Sequence, residues 1–383
     1  MIYLDNAATS YPKPEPVLRK MELQMRECGA NPGRSGHTMA MEAGKIVELC
    51  REVVADFFHI ENLMQICFTK NTTEALNIGI LGLLQQGDHV VTTCMEHNSV
   101  LRPLHYLEAQ GKITVSYAQA DMHGFIDAAE IADLAEQNKR TKMIICMFSS
   151  NVTGAIQPIQ KIGEIAKEKG YIFLVDAAQG IGAERIDVKE CHIDVLAVAG
   201  HKGLMGPQGT GFLYVNEKYS VQPLMFGGTG SLSTQMQQPD FLPDALESGT
   251  LNVPGIAGLA EGIRFVQEVR PERMKLHKGQ LLQTLQKGLA QIPGITLYSP
   301  EDVVRNSGIV SFRTDTLDSV EVCNILNRDY RIAARGGVHC APLAHQNLGT
   351  LDEGLVRLSV GYFNVMWEAE LTVQAIGEIL GGG

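Results

Sequence analysis

Three uninterrupted apolar runs constrain this chain most. Met143-Ile144-Ile145-Cys146-Met147-Phe148, Tyr171-Ile172-Phe173-Leu174-Val175 and Val195-Leu196-Ala197-Val198 show no polar alternation. A strand reads this way when both of its faces are buried, as in parallel sheets covered by helices on both sides. Helical spacing fills the intervals. Residues 159–169 form one such segment, closed by Gly170, which suits a left-handed C-cap. Further strands are expected at residues 65–69 and 89–93, with a helix over 73–84 between them. Repeated strand–helix–strand units predict an α/β fold with a largely parallel sheet.

Beyond Pro254 the pattern changes. Residues 255–292 read as mainly helical, and residues 294–383 mix helices with short strands such as Gly308-Ile309-Val310-Ser311-Phe312. A chain of 383 residues suits two domains. The expected division is a large domain over residues 14–256 and a smaller α+β domain over 257–383, to which residues 1–13 are joined. Low complexity is confined to the Gly381-Gly382-Gly383 tail.

The net charge of -11, with no block of Lys and Arg, disfavours nucleic acid and anionic membrane as partners. No apolar run is long enough to span a bilayer. Met1-Ile2-Tyr3-Leu4-Asp5 lacks a basic-then-apolar signal pattern, so a cytoplasmic protein is expected. None of the eight cysteines forms a CxxC pair, which argues against a metal site. In a reducing compartment most of them are expected as buried thiols.

Ligands of parallel α/β sheets bind at the carboxyl ends of the strands. Five strand ends here carry chemistry. They deliver Asp176 and Gln179, His201 and Lys202, Thr72 and Thr73 at a helix start, His97, and Asn151. Taken singly, each has an ordinary explanation as a cap, a turn residue or a solvated charge. Together they suit one ligand. A lysine attaches to an aldehyde, an aspartate keeps a pyridine nitrogen protonated, and a helix start receives a phosphate.

Val175-Asp176-Ala177-Ala178-Gln179, Gly200-His201-Lys202-Gly203 and Gly206-Pro207-Gln208-Gly209-Thr210-Gly211 resemble the class V aminotransferase group of fold-type I pyridoxal-phosphate (PLP) enzymes. The segment Arg335-Gly336-Gly337-Val338-His339-Cys340-Ala341 makes the chain similar to cysteine desulfurases, including the selenocysteine-lyase-like branch. The resemblance implies an α/β/α large domain with a smaller C-terminal domain, PLP as cofactor, and a homodimer with shared sites. It implies that Lys202 carries the cofactor, Asp176 faces the ring nitrogen, Gln179 the ring hydroxyl oxygen, and His97 stacks on the ring. Thr73, with Thr72 and His201, would hold the phosphate, and Thr250 would reach the phosphate of the neighbouring subunit. Asn151 would contact cofactor or substrate, Arg357 would clamp the substrate carboxylate, and Arg335 is expected on the substrate side.

The implied reaction takes sulfur from L-cysteine. Lys202 removes the α-proton, the Cys340 thiolate attacks the substrate sulfur and becomes a persulfide, and alanine leaves. Arg335 and His339 are expected to favour the thiolate, and Gly336 and Gly337 to give the loop freedom. Cys67 and Cys146, in apolar strands, are expected in the core. Two positions depart from the family pattern: Ala199 where a phosphate-binding serine is usual, and Val338 where a histidine is usual. A sulfur-acceptor protein is a further expected partner, with iron–sulfur assembly or tRNA thio-modification among the destinations.

Rival readings are another class V enzyme (a transaminase, an epimerase or a selenocysteine lyase) and a non-catalytic partner protein that keeps the fold. A transaminase needs no Cys340, and the intact site argues against the partner protein. Neither G-x-x-x-x-G-K-[ST] nor a strand-to-helix G-x-G-x-x-G occurs, and Gly33-Arg34-Ser35-Gly36 is one residue short of G-x-S-x-G.

Overall fold

The computed structural model describes residues 1–32 and 36–381. Gly33, Arg34 and Ser35 of the near-match to G-x-S-x-G, and Gly382 and Gly383 of the tail, lie outside the described residues.

The chain opens with a short strand β1 (Ile2–Tyr3) and two helices, α1 (Glu15–Glu27) and α2 (Thr38–Phe58). Strands and helices then alternate through β2 (Ile66–Thr69), α3 (Thr72–Leu83), β3 (Asp88–Thr93), α4 (Asn98–Ala109), β4 (Ile113–Ala118), α5 (Ala128–Gln137), β5 (Thr141–Met147), α6 (Ile159–Lys169) and β6 (Ile172–Ala177). Strands β7 (Val195–Ala199) and β8 (Gly211–Val215) and helix α7 (Val253–Val269) follow. The remainder is α8 (Pro271–Leu289), β9 (Ile295–Leu297), β10 (Ile309–Thr314), α9 (Ser319–Tyr330), β11 (Ile332–Ala333), α10 (Pro342–Asn347), β12 (Val356–Ser359) and α11 (Met366–Gly381).

Seven strands make the main sheet in the order β2-β8-β7-β6-β5-β3-β4. Only β8 runs against its neighbours, β2 and β7; the other pairs are parallel. The apolar runs owe their continuity to two cores, one on each face. Ile144, Cys146, Phe173, Val175, Leu196 and Val198 pack with α2, α5, α6 and α7. Their neighbours Met143, Ile145, Ile172, Leu174, Val195 and Ala197 point to the other face and pack with α3 and α4. Each large apolar side chain buried in this way contributes about 1.5–3 kcal/mol. Gly170 caps α6 with φ 76°, the left-handed region open to glycine at little steric cost.

A three-stranded antiparallel sheet, β12-β10-β9, forms the small unit. Its core of Val310, Phe312, Val356 and Leu358 is covered by Leu281, Leu282 and Leu285 of α8 and Ile376 of α11. β1 pairs in parallel with β11, so the chain begins in this unit. The expected boundary at 256/257 falls inside α7, an unbroken helix that packs on α1 and α2. Among the described residues, no helix is long and apolar enough to cross a membrane.

Candidate active site

The sheet delivers its polar residues to one place. A cavity with about 540 Å³ of empty space is lined by Asn71, Thr72 and Thr73 from the start of α3, and by His97 and Ser99 from the start of α4. Asn151 follows β5, Asp176 ends β6, Gln179 follows it, and His201 and Lys202 follow β7; all of them line the same cavity. Ala199 lies in its wall.

Asp176 is buried and accepts a hydrogen bond from the Ala178 N–H at 2.9 Å. Burial pushes its carboxyl up, against the lowering pull of that N–H and of Lys202. Burial likewise pulls the Lys202 amine down to about 8, while Asp176 opposes the shift. An amine so displaced is a competent base near neutral pH.

His97 is the N-cap of α4. Its Nδ1 accepts from the Ser99 N–H at 3.1 Å and lies 2.9 Å from Ser99 Oγ. Burial, then the charge of Lys202, holds it down to about 4, so the ring is neutral. An accepting Nδ1 leaves the proton on Nε2. Ser99 also lies 2.8 Å from Thr73 Oγ1, tying the starts of α3 and α4 together. Sequence reasoning passed over Ser99; the only signal was a hydroxyl two residues after a strand-end histidine.

Asn71, rather than Thr72 or Thr73, caps α3, its Oδ1 accepting from the Glu74 N–H at 2.9 Å. That frees the Thr72 hydroxyl, which is buried without a protein partner. Asn151 Oδ1 and Arg357 Nε are also buried and unpartnered. Thr72 and Asn151 line the cavity, so this hydroxyl and this amide oxygen are open to a ligand that supplies the missing partners.

Residues 7–13 hydrogen-bond to two of the lining residues, Gln179 and His201. Gln179 donates through its amide to Ala7 O at 2.8 Å. The His201 carbonyl, one residue before Lys202, accepts from Lys13 Nζ at 2.7 Å, Thr9 Oγ1 at 3.1 Å and Ser10 Oγ at 3.2 Å. Burial, then Lys202 and Lys13, pulls the His201 imidazole down to about 4.

The Cys340 loop is latched to the same residues. Asn151 Nδ2 donates to His339 O at 2.8 Å, and the Asn98 N–H at the start of α4 donates to Cys340 O at 2.7 Å. Between these anchors His339 and Cys340 adopt φ of 50° and 58°. Two successive non-glycine residues in the left-handed region are strained by about 1–2 kcal/mol each. Arg335 Nη2 lies 3.9 Å from the Cys340 Sγ. Arg335 also pairs through its backbone with Arg357, whose Nη1 donates to Asn151 O at 2.9 Å.

The structure corrects two expectations here. His339 cannot favour a thiolate through charge, because burial, then Arg357, pulls it down to about 2 and it stays neutral. Gly336 does not supply freedom either. A Cβ there would meet Ser319 O at 2.5 Å, so glycine is required by close packing, while Gly337 takes φ +104°. Cys67 and Cys146 are fully buried, as expected. Thr250 is exposed and does not line the cavity of its own chain.

The class-V aminotransferase family model matches residues 2–371. The chain belongs to this family. Similar members include proteins named "Probable cysteine desulfurase" from Methanothermobacter thermautotrophicus and Pyrococcus abyssi. The first is 36% identical over 100% of this chain and 95% of the relative. The second is 34% identical over 99% and 94%. Among solved structures, apo cysteine desulfurase from Thermococcus onnurineus NA1 superposes with a TM-score of 0.92 at 34% identity, covering 100% of this chain and 95% of that one. The cysteine desulfurase CsdA from Escherichia coli gives 0.87 at 27% identity, covering 99% and 94%. The expected fold class is borne out: fold-type I, with a mostly parallel sheet under helices on both faces and a smaller α+β unit.

Proposed function

We propose that this protein is a PLP-dependent cysteine desulfurase that moves the sulfur of L-cysteine onto Cys340 and releases L-alanine. The observation that carries the proposal is the Cys340 loop. Its thiol faces a guanidinium, and its backbone is held in a left-handed turn by Asn98 and Asn151, the latter a lining residue of the cavity.

The residues present fit the cofactor. Lys202 would carry its aldehyde, Asp176 its ring nitrogen, Gln179 its ring oxygen, and His97 one ring face. Thr72, Thr73 and His201 would hold its phosphate. Bound PLP supplies an electron sink that lets the Cα–H bond of an amino acid ionise.

The chain supplies the rest. Lys202 takes the α-proton. The neutral His97 would pack on the cofactor without adding charge. Arg357 would hold the substrate carboxylate, its Nε–H having no protein partner, while Asn151 Oδ1, also without one, is an acceptor and would face a donor such as the substrate amino group. The Cys340 thiolate attacks the substrate sulfur. The S–S bond forms as the Cβ–S bond breaks, leaving a persulfide on Cys340 and, after protonation, alanine. Arg335 places a guanidinium 3.9 Å from that sulfur.

We place the reaction in a homodimer. Thr250 is exposed beside a segment that presents Phe226 at 73% and Met236 at 102% exposure, apolar surface that a second copy would cover. Thr250 would then reach the phosphate held in the partner subunit. All eight cysteines are free, in keeping with the cytosol. The test is mass spectrometry of the protein after L-cysteine without reductant. One added sulfur atom on the Cys340 peptide supports the proposal; an unmodified Cys340 beside formed alanine overturns it.

A further inference from the structure

Arg357 already has a carboxylate partner. It is 1% exposed, and its Nη2 donates to Asp5 Oδ1 at 2.9 Å while its Nη1 donates to Asn151 O. Its Nε–H is buried and has no protein partner. We propose that Asp5 competes with the substrate α-carboxylate for Arg357, and so sets how tightly amino acid and product are held. This rests on the assignment of Arg357 to the substrate carboxylate made above.

Asp5 is built to stay. The backbone around it is pinned to β12 by Ser359 N to Leu4 O at 2.7 Å, Ala7 N to Ser359 Oγ at 2.9 Å, and a bridge between Asp5 and Ser359 themselves. Its side chain keeps 23% exposure, against 1% for that of Arg357. Its charge also reaches Lys202, where it opposes the fall of the amine. A buried guanidinium with no counter-ion is costly, so the empty site needs Asp5. When an amino acid arrives, two carboxylates share one cation and repel each other.

That arrangement has a use in this reaction. L-Alanine carries the same α-carboxylate as L-cysteine and differs only by the lost sulfur. Grip on the carboxylate therefore holds product as firmly as substrate and does not speed the chemical step. Asp5 is a positioning residue that loosens this shared grip.

The test compares wild-type holoenzyme with Asp5→Asn, which keeps the shape and an acceptor but removes the charge, and with Asp5→Glu, which keeps the charge. Binding of L-alanine and of L-alaninamide, which lacks the carboxylate, is measured by equilibrium dialysis. Asp5→Asn should bind L-alanine about tenfold more tightly, the order expected when like charges no longer share a site. L-Alaninamide binding should not change, and Asp5→Glu should behave as wild type. Equal or weaker L-alanine binding by Asp5→Asn overturns the proposal. So does an equal change for L-alaninamide, which would mean that Asp5 is merely structural. Should Asp5→Asn not fold, Asp5→Ser is judged by the same ratio. Turnover of L-cysteine by wild type is scored separately. Its absence overturns the desulfurase reading, whereas the affinity ratio judges Asp5 for any amino acid held at Arg357.

Discussion

Glu247→Gln is expected to destabilise the large unit by about 3–5 kcal/mol, the usual result of removing one partner of a buried ion pair. Arg51 and Glu247 meet with Nη2 to Oε2 at 2.6 Å and Nη1 to Oε1 at 2.9 Å, with side chains only 9% and 7% exposed. The pair is further embedded. Arg51 Nη1 donates to Ile66 O at 2.6 Å, and the Phe68 N–H donates to Glu247 Oε1 at 2.6 Å, so strand β2 is held through it. A Coulomb estimate at an effective dielectric of 20 gives roughly 4 kcal/mol at a separation of 4 Å. Gln keeps an acceptor for Phe68 but leaves the guanidinium without its counter-charge. For a unit of about 250 residues, unfolding entropy near 2.1 cal/mol/K per residue converts the loss into a Tm lower by about 6–10 °C. Differential scanning calorimetry with PLP at fixed excess checks it. The adjoining Thr250 should lose its position with Glu247, so PLP affinity should fall as well. A Tm within about 1 °C of wild type would refute the reasoning, since it would mean that solvent reaches the pair and screens it.

Glu96 is fully buried, and burial, then the charge of Asp176, pushes its carboxyl up to about 8. The folded form binds a proton that the unfolded chain has lost above its ordinary value of 4.5, so this group removes stability as pH rises from about 4.5 to 8. Glu96→Gln should therefore stabilise the protein more at pH 8 than at pH 5; denaturant midpoints at the two values check the sign. Arg335→Met removes the cation 3.9 Å from Cys340 Sγ. Persulfide formation on Cys340 with L-cysteine should slow, measured by peptide mapping.

Much of this arrangement was legible in the sequence because it is local. Helix α6 and its Gly170 cap, the buried strands β5 to β7, and the strand-end residues Asp176, Lys202, His97 and Asn151 all follow from apolar period and punctuation. What stayed hidden depends on distant pairing. Strand β8 inserts antiparallel between β2 and β7, and its Gly211-Phe212-Leu213-Tyr214-Val215 stretch carries no mark of direction. Two residues of β1 cannot by themselves show that they pair with β11, some 330 positions away. For the same reason Asp5 looked like an ordinary acidic residue, although its partner is Arg357. The neutrality of His339 follows from tertiary burial, which the sequence around Cys340 does not reveal.

The central claim is that Cys340 receives sulfur from L-cysteine in a site organised by Lys202. The most direct measurement is alanine formation from L-cysteine, with reductant present, by wild type, Cys340→Ala and Lys202→Ala. Alanine from wild type alone is the predicted result. Equal alanine from Cys340→Ala would contradict the account, because the thiol would then not be the nucleophile.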